Sequence, residues 1–303
     1  MMPVSRSPCR TRPKTPKWHN NDPHNKYHRA RGTQINKIEK YHQDNAAAWD
    51  VTAAIYERDE AGDIALLRSG GTSLMPQEQA ALGDLAGWCR RAIHLQCAGG
   101  TDTLSLLRQG AGEVIGIDIS PRMIACARRK TADLGAQASW FCCDVLAAPP
   151  ELDGTADLVH TGRGALCWMM DLDAWAHTVY RLLKPGGKLH VFEGHPLDWV
   201  WDIDAPTFQF DPTRGEYFAQ AAYAGEIWPK PFVDRQDEVD PATLSLHDHP
   251  WTLGQILNSV ICAGMRIEYF NEYPQTFWGQ FPNIPPDTLR RLPHTFTLLA
   301  IKE

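Results

Sequence analysis

From Arg91 to Gly194, short apolar runs alternate with helix-like runs at brief intervals, and no other feature of the chain restricts its fold as strongly. Residues 91–95 read as a strand and 101–109 as a helix. EVIGIDIS reads as a second strand ending on Asp118, and PRMIACARRKTADLG as the helix after it. ASWFCCDVL is a third strand ending near Asp144, and ADLVHTG a fourth. LDAWAHTVYRLL is a helix stopped by KPGG, and KLHVFEG a fifth strand. Parallel neighbours need a crossover between them, and a helix is the usual one, so this order predicts an α/β fold: a doubly wound parallel sheet covered on both faces.

In such a sheet, ligands lie at the carboxyl ends of the strands, where strand order reverses. The residues there are Gln96 to Thr103, Asp118, Asp144 and Thr161 to Gly164. A carboxylate at the end of the second strand can accept hydrogen bonds from both hydroxyls of a ribose, and one a strand further out suits an exocyclic amine such as that of adenine. The first turn, HLQCAGGTDT, lacks the tight G-x-G-x-x-G that brings backbone amides onto a pyrophosphate, and Asp102 would oppose a phosphate. No Gly-Lys-Ser/Thr follows, which excludes a Walker loop. The crevice therefore reads as an adenosine pocket for a ligand without phosphate.

The flanking regions differ from this core. Met1 to Gln43 holds ten basic residues against two acidic ones, while the rest of the chain is acidic. The Pro-, Arg-, His- and Asn-rich opening has no apolar periodicity, so residues 1–36 are expected to form a disordered basic tail. The acidic body argues against a nucleic-acid enzyme. INKIEKYHQDNAAAWDVTAAIYE has helical spacing, with Asp44 or Asn45 able to cap a second helix, and Pro76 suits a first helical position, which makes 37–90 a helical cap. The eight cysteines form no CxxC pair and read as free thiols of a cytoplasmic protein. No apolar run approaches the roughly 18 residues of a membrane helix.

The segment IHLQCAGGTDTLSLLRQGAGEVIGIDISPRMIACARR resembles the first two motifs of class I S-adenosylmethionine-dependent methyltransferases, in the bacterial branch whose loop reads L-H-L-Q-C-x-x-G-x-D-T-L-S. The resemblance runs on through FCCDVL, DLVHTGRGALCWMMDLDAWA and LKPGGKLHVFEGHP. It takes in NAAAWDVTAAIY upstream and MRIEYFNEY and HTFTLLAIK downstream, and so covers about residues 44–303. It implies a Rossmann-like sheet of seven strands in the order 3-2-1-4-5-7-6 with the last strand antiparallel, and S-adenosyl-L-methionine as cofactor. The family's D/E-x-G-x-G-x-G has His94, Gln96, Ala98 and Gly100 in its place here. By resemblance, Gln96, Cys97, Ala98, Gly99 and Gly100 curve around the cofactor and Asp118 binds the ribose. Ile119 and Met123 pack near the adenine, Asp144 and Val145 meet its edge, and Thr161 and Gly162 flank the methionine end.

Residues 91–195 would then form the cofactor-binding core, 196–250 an aromatic-rich insertion or lid, and 251–303 the last helix and two strands. Trp49 and Tyr56 read equally as core or as lid. The aromatic insertion could close over an acceptor or bury itself in a homodimer interface. In-line methyl transfer to a small-molecule acceptor needs a base only if the acceptor must lose a proton, and His195 is the first candidate, ahead of His160 and His247. HDH at 247–249 has metal-ligating residue types, but no metal site is expected. A nicotinamide-dependent oxidoreductase and a non-catalytic S-adenosylmethionine-binding module stand as the alternative functions.

Overall fold

A computed structural model describes residues 24–213, 215–219, 222–225 and 245–303. Its centre is one seven-stranded sheet. The strands are β1 Arg91–Leu95, β2 Glu113–Asp118, β3 Ala138–Cys142, β4 Ala156–Gly162, β5 Leu183–Gly194, β6 Met265–Tyr273 and β7 Thr295–Lys302. In this numbering the order is 3-2-1-4-5-7-6, as expected. β1 to β5 pair in parallel, and β7 runs antiparallel to both β5 and β6.

The helices are α1 His24–Arg68, α2 Pro76–Leu82, α3 Thr101–Arg108, α4 Pro121–Leu134, α5 Leu172–Leu182 and α6 Leu253–Cys262. Local chemistry sets their ends. The Ser120 hydroxyl accepts the Met123 amide to cap α4, which starts on Pro121 and stops at Gly135 in the left-handed region. Asp171 caps α5 through the Ala174 amide, and Thr252 caps α6 through Gln255. On one face of the sheet, α5 and α6 bury Trp175, Val179 and Val260 against β1, β4, β5 and β7. On the other, α2 and α3 cover Ala92, Val114 and Leu158, and α4 packs Ile124 and Ala127 against Cys97 and Trp140. Doubly wound layering puts all five parallel carboxyl ends on one edge, where the crevice opens.

Several expectations need correction. The two helices expected before residue 60 are one helix, α1, so Asp44 and Asn45 cap nothing. Asn45 instead exchanges two hydrogen bonds of 2.8 Å with the backbone of His247. The irregular tail expected to residue 36 gives way to helix at His24, and residues 1–23 lie outside the described residues. β3 stops at Cys142, and Asp144 caps a turn of 3-10 helix through the Leu146 amide. α5 ends at Leu182, just before KPGG as expected, and KPGG itself lies within β5 as an irregular stretch.

Much of the aromatic insertion, residues 226–244, also lies outside the described residues. Its return, Leu246–Asp248, pairs with Tyr223–Gly225 and packs Leu246 against Ala48 and Ile55 of α1. His247 lies 3.0 Å from Asp44, and its ring stacks on Tyr41 with centroids 3.8 Å apart. HDH thus fastens the insertion to α1. Among the described residues, no group of His, Cys, Asp and Glu could hold a metal ion, and no helix is long and apolar enough to cross a membrane.

Candidate cofactor and acceptor site

A cavity of about 400 Å³ opens over the carboxyl ends of β1 to β4, beneath α1. The residues that line it include Gln96, Cys97, Ala98, Gly99, Gly100, Asp118, Ile119, Met123, Asp144, Val145 and Gly162, eleven of the twelve positions expected to meet a cofactor. The twelfth, Thr161, is fully buried just behind the wall. Its hydroxyl donates to the Leu95 carbonyl at 3.2 Å and lies 3.5 Å from Gln96 Oε1.

The β1 loop keeps the shape that glycines would give it. Gln96 and Ala98, the two non-glycine residues at the family's glycine positions, have φ of 57° and 46°, in the left-handed region, and Gly100 has φ of 81°. A Cβ on Gly100 would come within 2.6 Å of Ala127 and Trp140, so this position admits no side chain. The Gln96 amide donates to the Ala165 carbonyl at 2.6 Å and so braces the loop to the segment after β4. The side chain expected to face the ligand thus has a structural engagement of its own.

Two carboxylates mark the far wall. Asp118 accepts the Ala98 amide at 2.8 Å through Oδ2 and the Ser120 amide at 2.9 Å through Oδ1. Burial pushes its carboxyl up to about 6, against the pull of those amides. Asp144 lies one strand further out. Its Oδ1 accepts the Leu146 amide and its Oδ2 meets His42 Nδ1 at 2.5 Å. An ionised carboxyl has about four lone-pair sites, so each can still take a hydroxyl or an amine.

Asp102, Arg163 and Gly164, which lie in the strand-end segments expected at the crevice, also line the cavity. Several further neighbours were not foreseen in the sequence: His42 of α1, Ala165, Trp168 and Met169 after β4, and Trp278. Arg163, with φ of 60°, directs its guanidinium to Glu78 Oε2 at 3.2 Å and Asp102 Oδ1 at 3.3 Å. His94 also faces the cavity, with Nδ1 2.8 Å from the Thr103 hydroxyl, and burial lowers its imidazole to about 4. Trp49 and Tyr56 both belong to the cavity wall.

His195 is not among the lining residues. Its Nε2 pairs with Glu272 at 2.8 Å and its Nδ1 accepts the Leu197 amide at 3.1 Å, so both nitrogens serve the chain just after β5. His160 is buried in β4, its Nδ1 2.9 Å from that of His190.

With this geometry in hand, comparison with known families is decisive for the core: residues 92–187 match the model of a methyltransferase domain. Residues 92–187 form a methyltransferase domain. The chain is 35% identical over 122 residues to a demethylmenaquinone methyltransferase of Thermus thermophilus, covering 36% of this chain and 54% of that protein. It is 34% identical over 134 residues to a ubiquinone/menaquinone biosynthesis C-methyltransferase of Stenotrophomonas maltophilia, covering 41% and 52%. The chain thus spans about half the length of these curated relatives. A solved S-adenosylmethionine-dependent methyltransferase from Mesorhizobium loti shares the fold at a TM-score of 0.53 and 24% identity, covering 75% of this chain and 96% of that one. The methyltransferase domain supplies β1 to β4 and the start of β5. α1, α2 and the sheet's last strands lie outside the match, although α1 roofs the cavity.

Proposed function

We propose that the protein transfers a methyl group from S-adenosyl-L-methionine to a small-molecule acceptor, and that it does so in the cytoplasm. The observation that carries this reading is the pair Asp118 and Asp144 at the ends of adjacent strands, on one cavity with a loop that has no phosphate cradle. The donor set fits the cofactor. Asp118 would accept the ribose hydroxyls and Asp144 the adenine amine, while Ile119, Met123 and Val145 offer the base apolar contact. The β1 loop would follow the amino-acid tail. When bound, the cofactor supplies a methyl group on a sulfonium.

The chain's own task is then mainly placement. Holding the acceptor atom in line converts an encounter into an intramolecular displacement, and closure of α1 over the crevice excludes water. Neither described histidine on the cavity suits a base: Met170 N–H and Asp144 engage both His42 nitrogens, and His94 has too little proton affinity at neutral pH. Among the described lining residues, a base for an acceptor that must lose a proton would have to be a group other than these two histidines.

Calorimetry with S-adenosylhomocysteine and with NAD tests the reading. Binding of the first and none of the second is expected; binding of NAD alone would overturn it. Labelled methyl transfer to a panel of phenols, amines and thiols then separates an enzyme from a binding module.

A further inference from the structure

The cavity has a second end. Neighbouring strands are about 4.8 Å apart, so the segment after β4 lies some 14 Å along the edge from the end of β3. If the nucleoside lies at Asp118 and Asp144 and the tail follows the β1 loop, the sulfonium lies between them and its methyl faces the β4 end. Three half-buried tryptophans from separate parts of the chain converge there: Trp49 of α1, Trp168 after β4 and Trp278 between β6 and β7. Trp49 and Trp168 meet edge to face, centroids 5.5 Å apart. The Trp278 indole nitrogen lies 3.9 Å from where a Cβ on Gly164 would be. Ala48, Ile55 and Leu246 back the group, so the insertion's return strand supports it from behind.

Charge narrows what can lie against these rings. Asp63, Asp102, Asp118 and Asp144 line the cavity, and Arg163 is the only Lys or Arg among the described lining residues. Glu78 and Asp102 flank that guanidinium. The Lys130 ammonium reaches the site only behind Asp63 and the Thr101 hydroxyl, to which it is bonded. An anionic acceptor would meet carboxylates with no uncommitted guanidinium or ammonium among the described residues to offset them, and burying a charge unpaired is costly. A cationic acceptor would be brought against the sulfonium, and a protonated amine has no lone pair to attack with. An uncharged molecule with a flat apolar body avoids both costs and gains the aromatic contacts.

Building on the methyltransferase reading, we infer that Trp49, Trp168 and Trp278 form the acceptor subsite and that it selects an uncharged, planar, largely apolar acceptor over anionic ones. The subsite joins residues of the helical cap, the domain and the C-terminal loop, so the matched domain alone does not contain it.

Two probes with one aromatic body and different charge test this: naphthalene-2-methanol and 2-naphthoate, each titrated calorimetrically into the protein saturated with S-adenosylhomocysteine. The alcohol should bind at least tenfold more tightly than the naphthoate. W168A and W278A should each weaken the alcohol at least fivefold while S-adenosylhomocysteine affinity stays within twofold. The naphthoate binding as tightly as the alcohol would overturn the inference, as would tryptophan variants that leave the alcohol's affinity unchanged. Failure of S-adenosylhomocysteine itself to bind the unaltered protein would instead overturn the reading on which the inference rests. Loss of cofactor affinity together with the alcohol's would show that the tryptophans line the cofactor end and would overturn their assignment to the acceptor.

Discussion

His42 Nδ1 lies 2.5 Å from Asp144 Oδ2, which links α1 to the end of β3 across 102 positions of sequence. The Met170 amide donates to Nε2 at 3.2 Å, so Nε2 is the acceptor and the proton sits on Nδ1, pointed at the carboxylate. One imidazole thereby ties together α1, the turn before α5 and the acid expected to face adenine. The end of the cavity proposed for the nucleoside is thus shared between the matched domain and a helix that precedes it.

That link predicts coupling. H42A removes a buried charge-assisted hydrogen bond of about 1.5–3 kcal/mol and lets Asp144 turn away, so S-adenosylhomocysteine affinity should fall about tenfold. D144A should cost a similar factor. The double variant should lose little more than either single one, because the two act as a unit. Calorimetry on the three variants checks this, and losses that simply add would show that the two residues act separately.

Asp118 predicts a pH dependence. Its folded carboxyl titrates near 6 because burial disfavours the charge, whereas an unfolded one titrates near 3.9. The raised value means that this group's contribution to stability is present below about pH 4 and is lost as pH rises through about 6. Ligand binding runs the other way. A ribose held by the carboxylate needs the ionised form, so S-adenosylhomocysteine affinity should be level above pH 7 and fall toward tenfold per unit below 6. D118N should bind weakly at every pH. An affinity in the unaltered protein that is flat from pH 7 to 5 would remove the ribose assignment.

The Glu78 and Arg163 pair predicts an asymmetry in stability. The Glu78 side chain is 1% exposed and that of Arg163 22%, and the Met75 amide also donates to Glu78. Removing Arg163 leaves the buried Glu78 carboxyl without its ion partner, at about 3 kcal/mol, whereas Asp102 still pairs with Arg163 when Glu78 is removed, and replacing both with apolar side chains can be nearly neutral. In urea unfolding, R163M should therefore fall well below the double variant E78M/R163M. Equal losses would mean that the pair contributes little.

The fold was legible because strand and helix periods alternate cleanly, and Asp118 and Asp144 were legible because a strand end is a defined place in such a sheet. Other parts of the site were not. His42 lies 102 positions from its partner and reads as an ordinary helical residue. Arg163 stood among the strand-end residues, but its partner did not, because only the packing of α2 puts Glu78 against it. His195 had the right residue type next to the right strand, yet Glu272, 77 positions away, turns its ring to structural use. What sequence order cannot supply is which distant side chain arrives to engage a polar group.

The β1 loop permits a test in which composition and conformation point in opposite directions. Ala98 lies where the family has glycine, yet holds φ of 46° and donates its amide to Asp118. A left-handed alanine costs roughly 1–2 kcal/mol, and relief of that strain should offset the roughly 0.4–1 kcal/mol that glycine adds through the freedom of the unfolded chain. A98G should therefore match or exceed the unaltered protein in stability and keep its S-adenosylhomocysteine affinity, because the amide remains. Ala127 offers the contrast: fully buried within α4, with ordinary helical backbone, it should lose about 1 kcal/mol or more as A127G. Urea unfolding of the two variants side by side decides the matter. If A98G were as destabilised as A127G, the loop would owe its shape to something other than the left-handed backbone at this position.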